Sequence, residues 1–251
     1  AWIATWNVEK KYSRYAVRSS LVNQESQITL DRAWRILTAS RQTQYFFTFL
    51  LAMTMGLFMQ DPILEAYGAE VFKMQISETA RLNAFWGTGT LIGISSSGFL
   101  LTPRIGKRNT AKVGCVLVMV SLIWVILAGF TANPQLLQWA LLFFGLTSGI
   151  TTTGAITLML DLTAAETAGT FIGAWGLAQA LSRGISNVAG GALLDLGKQL
   201  TSQLVLAYGL VFVVQGIAMA VAIGLLRRVN VQEFRATSKE AILAVLQSDR
   251  D

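Results

Sequence analysis

Histidine is absent from the 251 residues, and cysteine occurs once, as Cys115. Without histidine the chain lacks the commonest general base and the commonest metal ligand, and a Ser–His nucleophile pair is impossible within it. A single cysteine excludes an internal disulfide. Cys115 lies inside an apolar run and reads as a small buried packing residue. Charge is also scarce: 14% of residues are Asp, Glu, Lys or Arg, against about 25% in a soluble domain. The remaining enzyme signatures fail on spacing. Gly191 to Gln199 approximates a phosphate loop, but it is one residue too long and Gln199 replaces the magnesium-binding Ser/Thr. Gly93 to Gly98 does not flank a single serine as a nucleophile elbow must. No catalytic residue and no metal site is expected, and the chain reads as a non-enzyme.

What fills the chain instead is apolar sequence, 53% of all residues. A membrane span needs about 20 mostly apolar residues. Six stretches qualify, at roughly 43–63, 82–102, 112–131, 135–160, 168–194 and 203–226. The expected fold class is an all-α integral membrane protein with a six-helix transmembrane bundle over 43–226. A cytoplasmic segment over 1–42 would precede it and a cytoplasmic tail over 227–251 would follow. The 20 Lys and Arg residues support this division. Seven lie before the first span, four in the second-to-third loop and five in the tail, all on one side of a six-span bundle. Lys73, Arg81 and Lys198 fall on the other side and Arg183 inside a span. That bias places both ends in the cytoplasm. It also accounts for the net charge of +6 without nucleic acid, since no basic stripe is interleaved with exposed aromatics.

The flanks carry amphipathic patterns. Leu30, Ala33, Trp34 and Leu37 recur at helical spacing, as in a helix lying in the interface. Thr237 and Glu240 have capping-box spacing ahead of an apolar triplet. The chain opens at Ala1-Trp2-Ile3 with no initiator Met and no signal pattern, which leads us to expect a piece of a longer protein. Small residues recur at four-residue intervals: Gly89, Gly93 and Ser97, then Gly145 and Gly149, then Gly169 and Gly173. Such spacing lets helices approach closely in lipid, and ordinary tight packing is the favoured reading. Thr147, Ser148, Thr151, Thr152, Thr153 and Thr157 either line a polar path or bond back to their own helix, the second being favoured.

Charge beside or within the apolar runs marks candidate sites. Arg183 lies near the middle of the fifth span and needs the bundle interior, a watery cavity or an acidic partner; Asp61 and Glu65 are candidates for that partner. Gln60-Asp61-Pro62 sits directly against the first apolar run, where Pro62 can bend or break the helix.

The stretch Gln60-Asp61-Pro62-Ile63-Leu64-Glu65-Ala66-Tyr67-Gly68-Ala69-Glu70-Val71-Phe72 resembles the most distinctive motif of the PucC/LhaA family, the bacteriochlorophyll-delivery branch of the major facilitator superfamily. Leu162 to Gly169, followed by Gly173-Ala174-Trp175-Gly176-Leu177-Ala178-Gln179-Ala180, resembles its second. The region Trp6 to Lys11 looks like the end of that family's sixth helix, so the chain aligns with the family's C-terminal half. Leu101 to Arg108 resembles a degraded superfamily loop motif, with Phe99 in place of its first glycine and Pro103 in place of its aspartate. That departure weakens the case for ordinary solute transport by alternating access. The resemblance implies one half of a major facilitator fold. It also implies a role in assembling photosynthetic pigment–protein complexes, with a chlorophyll-type pigment as cargo, photosystem or light-harvesting proteins as partners, and a thylakoid or photosynthetic inner membrane as location. With no histidine, pigment magnesium would take an oxygen ligand: Gln60, Asp61 and Glu65 are the candidates. Phe85, Trp86 and Trp175 offer an aromatic surface, and Arg183 completes the expected binding set. The alternatives left open are a proton-coupled small-solute transporter and a cargo-free structural subunit of a photosynthetic complex.

Overall fold

A computed structural model describes residues 41–162 and 168–229, the side chains of 162–171 excepted. All of its regular structure is helical. The elements are α1 (Arg41–Phe58), α2 (Leu64–Phe72), α3 (Ile76–Ser96), a π-helical turn (Ser97–Leu101), α4 (Thr102–Ile105), α5 (Lys107–Thr131), α6 (Pro134–Leu162), α7 (Ala168–Leu200) and α8 (Leu204–Arg228). Among the described residues, α5, the Pro134–Asp161 stretch of α6, and α8 are long and apolar enough to cross a membrane by length and composition. Helix α1 opens on Arg41-Gln42-Thr43-Gln44, α3 carries Glu78, Arg81 and Asn83, and α7 carries Arg183, Asp195 and Lys198. Those polar positions set the other three long helices apart. The N-terminal amphipathic segment, the Trp6–Lys11 match, the Thr237/Glu240 cap and most of the second motif's first stretch lie outside the described residues.

The breaks have local causes. α1 stops at Phe58, and a hydrogen-bonded turn carries the chain past Pro62, with the Asp61 N–H on the Phe58 carbonyl at 3.1 Å and the Leu64 N–H on the Gln60 carbonyl at 2.9 Å. The carboxylate-rich stretch beyond is helical, as α2, rather than a loop. Lys73 closes α2 in the left-handed conformation (φ 58°), its N–H reaching the Gly68 carbonyl. The Gln75 N–H donates to the Glu78 carboxylate at 2.9 Å and starts α3. In the connection between the second and third expected spans one residue, Gly106, lies outside the helical turns, and its φ of 81° suits glycine. Helical turns fill the remainder, because Thr102 through Ile105 and Lys107 onward each satisfy their backbone groups internally.

α6 packs against α3 and α5, α8 against α1, α5 and α7, and α1 against α7. Phe46, Phe49, Leu50, Met53 and Leu57 of α1, Val118, Leu122 and Val125 of α5, and Val211 and Phe212 of α8 fill the centre. Cys115 is fully buried, as its apolar setting implied. On α5 the outer face is apolar as well: Val113, Val116, Val120, Ile123, Leu127 and Phe130 form an exposed stripe at alternating three- and four-residue spacing. A helix that is apolar inside and outside is one solvated by lipid.

The α3–α6 seam is drawn together by glycine. A Cβ on Gly89 or Gly93 would stand 2.1 Å from the carbonyl oxygen of Leu142 or Leu146, and one on Gly145 would stand 2.0 Å from that of Trp86. The two backbones touch, which is the tight packing expected of this spacing. The hydroxyls of α6 behave as expected too. Thr147 and Ser148 donate to the Phe144 carbonyl, Thr151 to Thr147, Thr153 to Gly149 and Thr157 to Thr153, at 2.7 to 2.9 Å.

The ends of the bundle differ in charge. At one end Lys107 pairs with Asp161 at 2.5 Å, linking the start of α5 to the end of α6. At the opposite end Lys198 of α7 lies 2.8 Å from Glu70 of α2. That hydrogen-bonded ammonium holds the Glu70 carboxyl below its ordinary pKa.

Candidate functional site

The break in α1 is where most of the predicted polar residues meet. Phe58, the last residue of α1, is buried between two other helices. The guanidinium of Arg183 from α7 lies 3.9 Å from its ring centroid, and the indole of Trp86 from α3 meets it edge-on at 6.1 Å. Phe58 therefore joins α3 to α7 through the end of α1. α7 comes this close because Gly190, two turns beyond Arg183, lets the Met59 carbonyl approach to 2.3 Å from where a Cβ would be. Arg183 itself is exposed on the bundle surface rather than enclosed. A cation over an aromatic face retains its solvation on one side and gains about 0.5–1 kcal/mol at an exposed site.

Gln60 and Asp61 follow directly. Gln60 is 1% exposed. Its amide donates to the Asp61 carboxylate at 3.2 Å, and its carbonyl oxygen accepts from the amide of Gln215 on α8. Gln215 is fully buried and also reaches the Gly56 carbonyl at 3.3 Å. Buried amides must be partnered, since an unmet one costs about 1–3 kcal/mol. The Gln60–Gln215 pair thus fixes the turn that presents Asp61. Asp61 is exposed, and Arg183 is near enough for its charge to act on the carboxylate. Glu65, in the first turn of α2, is also exposed and accepts a 3.2 Å hydrogen bond from Asn83 of α3.

Trp86 is half-buried, and its Nε1–H has no acceptor among the described residues. Phe85 beside it is partly buried against the core. Trp175 lies elsewhere. It is buried against Phe46 at 6.0 Å between ring centroids, and Phe46 lies three turns before Phe58 on α1, about 18 Å along the axis. The structure thus gathers Gln60, Asp61, Trp86 and Arg183 about Phe58, with Glu65 one turn on, and leaves Trp175 in the core.

As ligands for a metal-centred pigment the three oxygen-bearing candidates are not equivalent. Both ends of the Gln60 amide are engaged and the side chain is buried, so it fits the role of a prop. Asp61 and Glu65 are exposed carboxylates, and hard oxygen donors of this kind fit magnesium. The Trp86 N–H has no acceptor among the described residues, but it is enclosed by the chain and is not presented at the surface beside the carboxylates.

Sequence reasoning overlooked Gln215, Phe58 and Asn83. A glutamine in the middle of the otherwise apolar α8 was a signal for the first. Nothing in the sequence singled Phe58 out among 13 phenylalanines. A separate cleft of about 430 Å³ opens beside the Glu70–Lys198 pair, lined by residues that include Lys73, Phe130, Gln203 and Val205 and by none of the predicted site residues.

The family model described as PUCC protein matches residues 1–234 of this chain. Among curated relatives, Protein PucC of Cereibacter sphaeroides is 26% identical over 194 residues, 77% of this chain and 41% of that protein. The Bacteriochlorophyll synthase 44.5 kDa chain of Rhodobacter capsulatus is 28% identical over 225 residues, 88% of this chain and 51% of that one. An uncharacterized protein of the puhA–bchM intergenic region of Rhodobacter capsulatus is 28% identical over 164 residues, 65% of this chain and 34% of its own length. The chain spans about a third to a half of the length of these relatives.

Proposed function

The chain belongs to the PUCC protein family, and from that premise we propose that it is a membrane-embedded carrier of a chlorophyll-type pigment, serving the assembly of photosynthetic pigment–protein complexes and catalysing no reaction itself. In this reading α1, α3, α5, α6, α7 and α8 are six spans, half of a major facilitator fold, in a thylakoid or photosynthetic inner membrane with the basic end cytoplasmic. The observation that carries the reading is the α1 break. It sets two exposed carboxylates, Asp61 and Glu65, beside an aromatic pair and an exposed guanidinium. A tetrapyrrole needs such a mixture: an oxygen ligand for magnesium, aromatic surface for the ring, and donors for its peripheral carbonyls. The relatives are nearly twice as long, so half the site would come from the remaining length, as transporter sites lie between the halves.

The test is pigment retention. Protein isolated gently from a pigmented membrane should carry a chlorophyll-type pigment. Asp61→Asn with Glu65→Gln should reduce retention, and with it accumulation of pigment–protein complexes, at unchanged protein level. Unchanged retention in the stable double variant would remove these carboxylates from the site.

A second reading, proton-coupled uptake of a small solute, is supported by the charge of Arg183 acting on Asp61. It predicts solute accumulation in proteoliposomes driven by a pH gradient and abolished by Asp61→Asn. A cargo-free structural subunit of a photosynthetic complex would instead co-purify with that complex and retain no pigment.

A further inference from the structure

We propose that the basic end of the bundle holds a binding site for the phosphate headgroup of an anionic lipid, built by Arg41, Arg108, Lys112, Arg227 and Arg228 from three helices. This site lies at the end of α8 and does not depend on the pigment reading.

Arg108, in the first turn of α5, is the anchor. Its Nη2 donates to the carbonyls of Leu226 and Arg227, each at 2.8 Å, and its Nε to Leu226 at 3.2 Å. It thereby caps the negative end of the α8 dipole. A guanidinium carries five N–H groups, and the pair on Nη1 has no partner among the described residues. Lys112 stands one turn further along the same face of α5, half-buried. The charges of Arg108 and Arg227 both bear on it. On the other side of α8, Arg228 and Arg41 face one Tyr45 ring, at 6.0 and 5.7 Å from its centroid, and Arg41 Nε donates to the phenol oxygen at 3.1 Å. Five cations are thus drawn to the end of one helix. The described carboxylate at this end, Asp161, is held by Lys107.

Like charges brought this close repel, and partial burial makes the repulsion worse. An anion seated among them would relieve that repulsion. At the end of helices whose outer faces are apolar, the anion at hand is a lipid phosphate: basic pockets between membrane helices recognise such headgroups, at about 1 kcal/mol per basic residue. A monoanionic headgroup such as that of phosphatidylglycerol can accept from Arg108 Nη1 and the Lys112 ammonium while its acyl chains lie along the exposed apolar stripe of α5, which includes Val113, Val116 and Val120.

The test compares the intact protein with Lys112→Gln/Arg228→Gln, which leaves the Arg108 cap in place. Each is delipidated in neutral detergent and titrated with phosphatidylglycerol, phosphatidylcholine or inorganic phosphate, with melting temperature and native-mass-spectrometric lipid retention as readouts. Phosphatidylglycerol alone should raise the melting temperature of the intact protein and stay bound. The variant should hold it about thirtyfold more weakly, two basic residues being lost. Equal stabilisation by phosphatidylcholine would overturn the site, and so would retention unchanged in the variant. Equal stabilisation by inorganic phosphate would show an anion site that does not select lipid, and would also overturn the proposal. Lys112→Arg/Arg228→Lys, which keeps both charges, should restore retention; failure to do so in a folded protein would count against charge as the cause.

Discussion

Two seams of this bundle bring helices equally close and to opposite ends. Along α3–α6, Gly89, Gly93, Gly145 and Gly149 let backbone meet backbone, and no space remains between them. On α7, Gly190 makes such a contact against Met59, the residue just past the end of α1. Beside that contact α1 has stopped, and Phe58, Arg183 and Asp61 lie about its end. The first seam is a joint, and the second carries the polar and aromatic residues of the candidate site. Glycine spacing alone does not separate them. What separates them is whether the partner helix continues past the glycine or ends there.

The contrast can be broken most severely at the joint. Gly145→Leu drives a side chain into the Trp86 carbonyl and should cost about 3 kcal/mol or more, seen as loss of folded protein and of melting temperature in detergent. Gly184→Ala on α7, next to Arg183, meets nothing within 4 Å. It should be neutral or stabilising by up to about 1 kcal/mol from helix propensity. Equal damage at the two positions would erase the distinction.

The turn that follows α1 comes next. Gln215→Leu strands the Gln60 amide and should destabilise by about 1–3 kcal/mol, whereas Gln60→Leu/Gln215→Leu together should recover most of that. A denaturation cycle showing simple additivity would mean that the pair does not hold the turn. Arg183→Ala should be milder, about 0.5–1 kcal/mol, with its larger effect on pigment retention. Smallest is the far-end pair. Glu70→Gln should cost about 0.5 kcal/mol at neutral pH. Because Lys198 holds the Glu70 carboxyl below its ordinary value, that contribution is complete above the ordinary carboxylate pKa. It vanishes as pH falls through the depressed one. Wild type and variant should therefore converge in acid, and a gap that widens there would reverse the assignment.

The helical class, the meshing glycines, the back-bonded threonines and the break at Pro62 were legible because each follows from local chemistry: run length, side-chain size, hydroxyl reach and a missing N–H. The site was legible in part. Gln60, Asp61, Glu65 and Arg183 announced themselves as polar groups against apolar runs, but their roles depend on neighbours far along the chain. Gln60 became a prop because Gln215, on α8, meets it. Arg183 found an aromatic ring rather than an ion pair at contact distance because α7 crosses α1 at Phe58. Trp175 looked like Trp86 in sequence, yet helical phase turned it toward Phe46. The connection between the second and third expected spans is helical on both sides of Gly106, a detail that its polar composition did not announce. Of the six expected spans, α5, α6 and α8 are long and apolar enough to cross a membrane among the described residues, while polar residues dilute α1, α3 and α7, Arg183 in the middle of α7 included.

The most direct measurement is the absorption spectrum of the gently purified protein, followed by extraction and identification of any pigment, for wild type and for Asp61→Asn/Glu65→Gln. A chlorophyll-type band in stoichiometric amount, lost in the stable variant, is the result expected here. A well-folded wild-type protein that is colourless would contradict the pigment-carrier account.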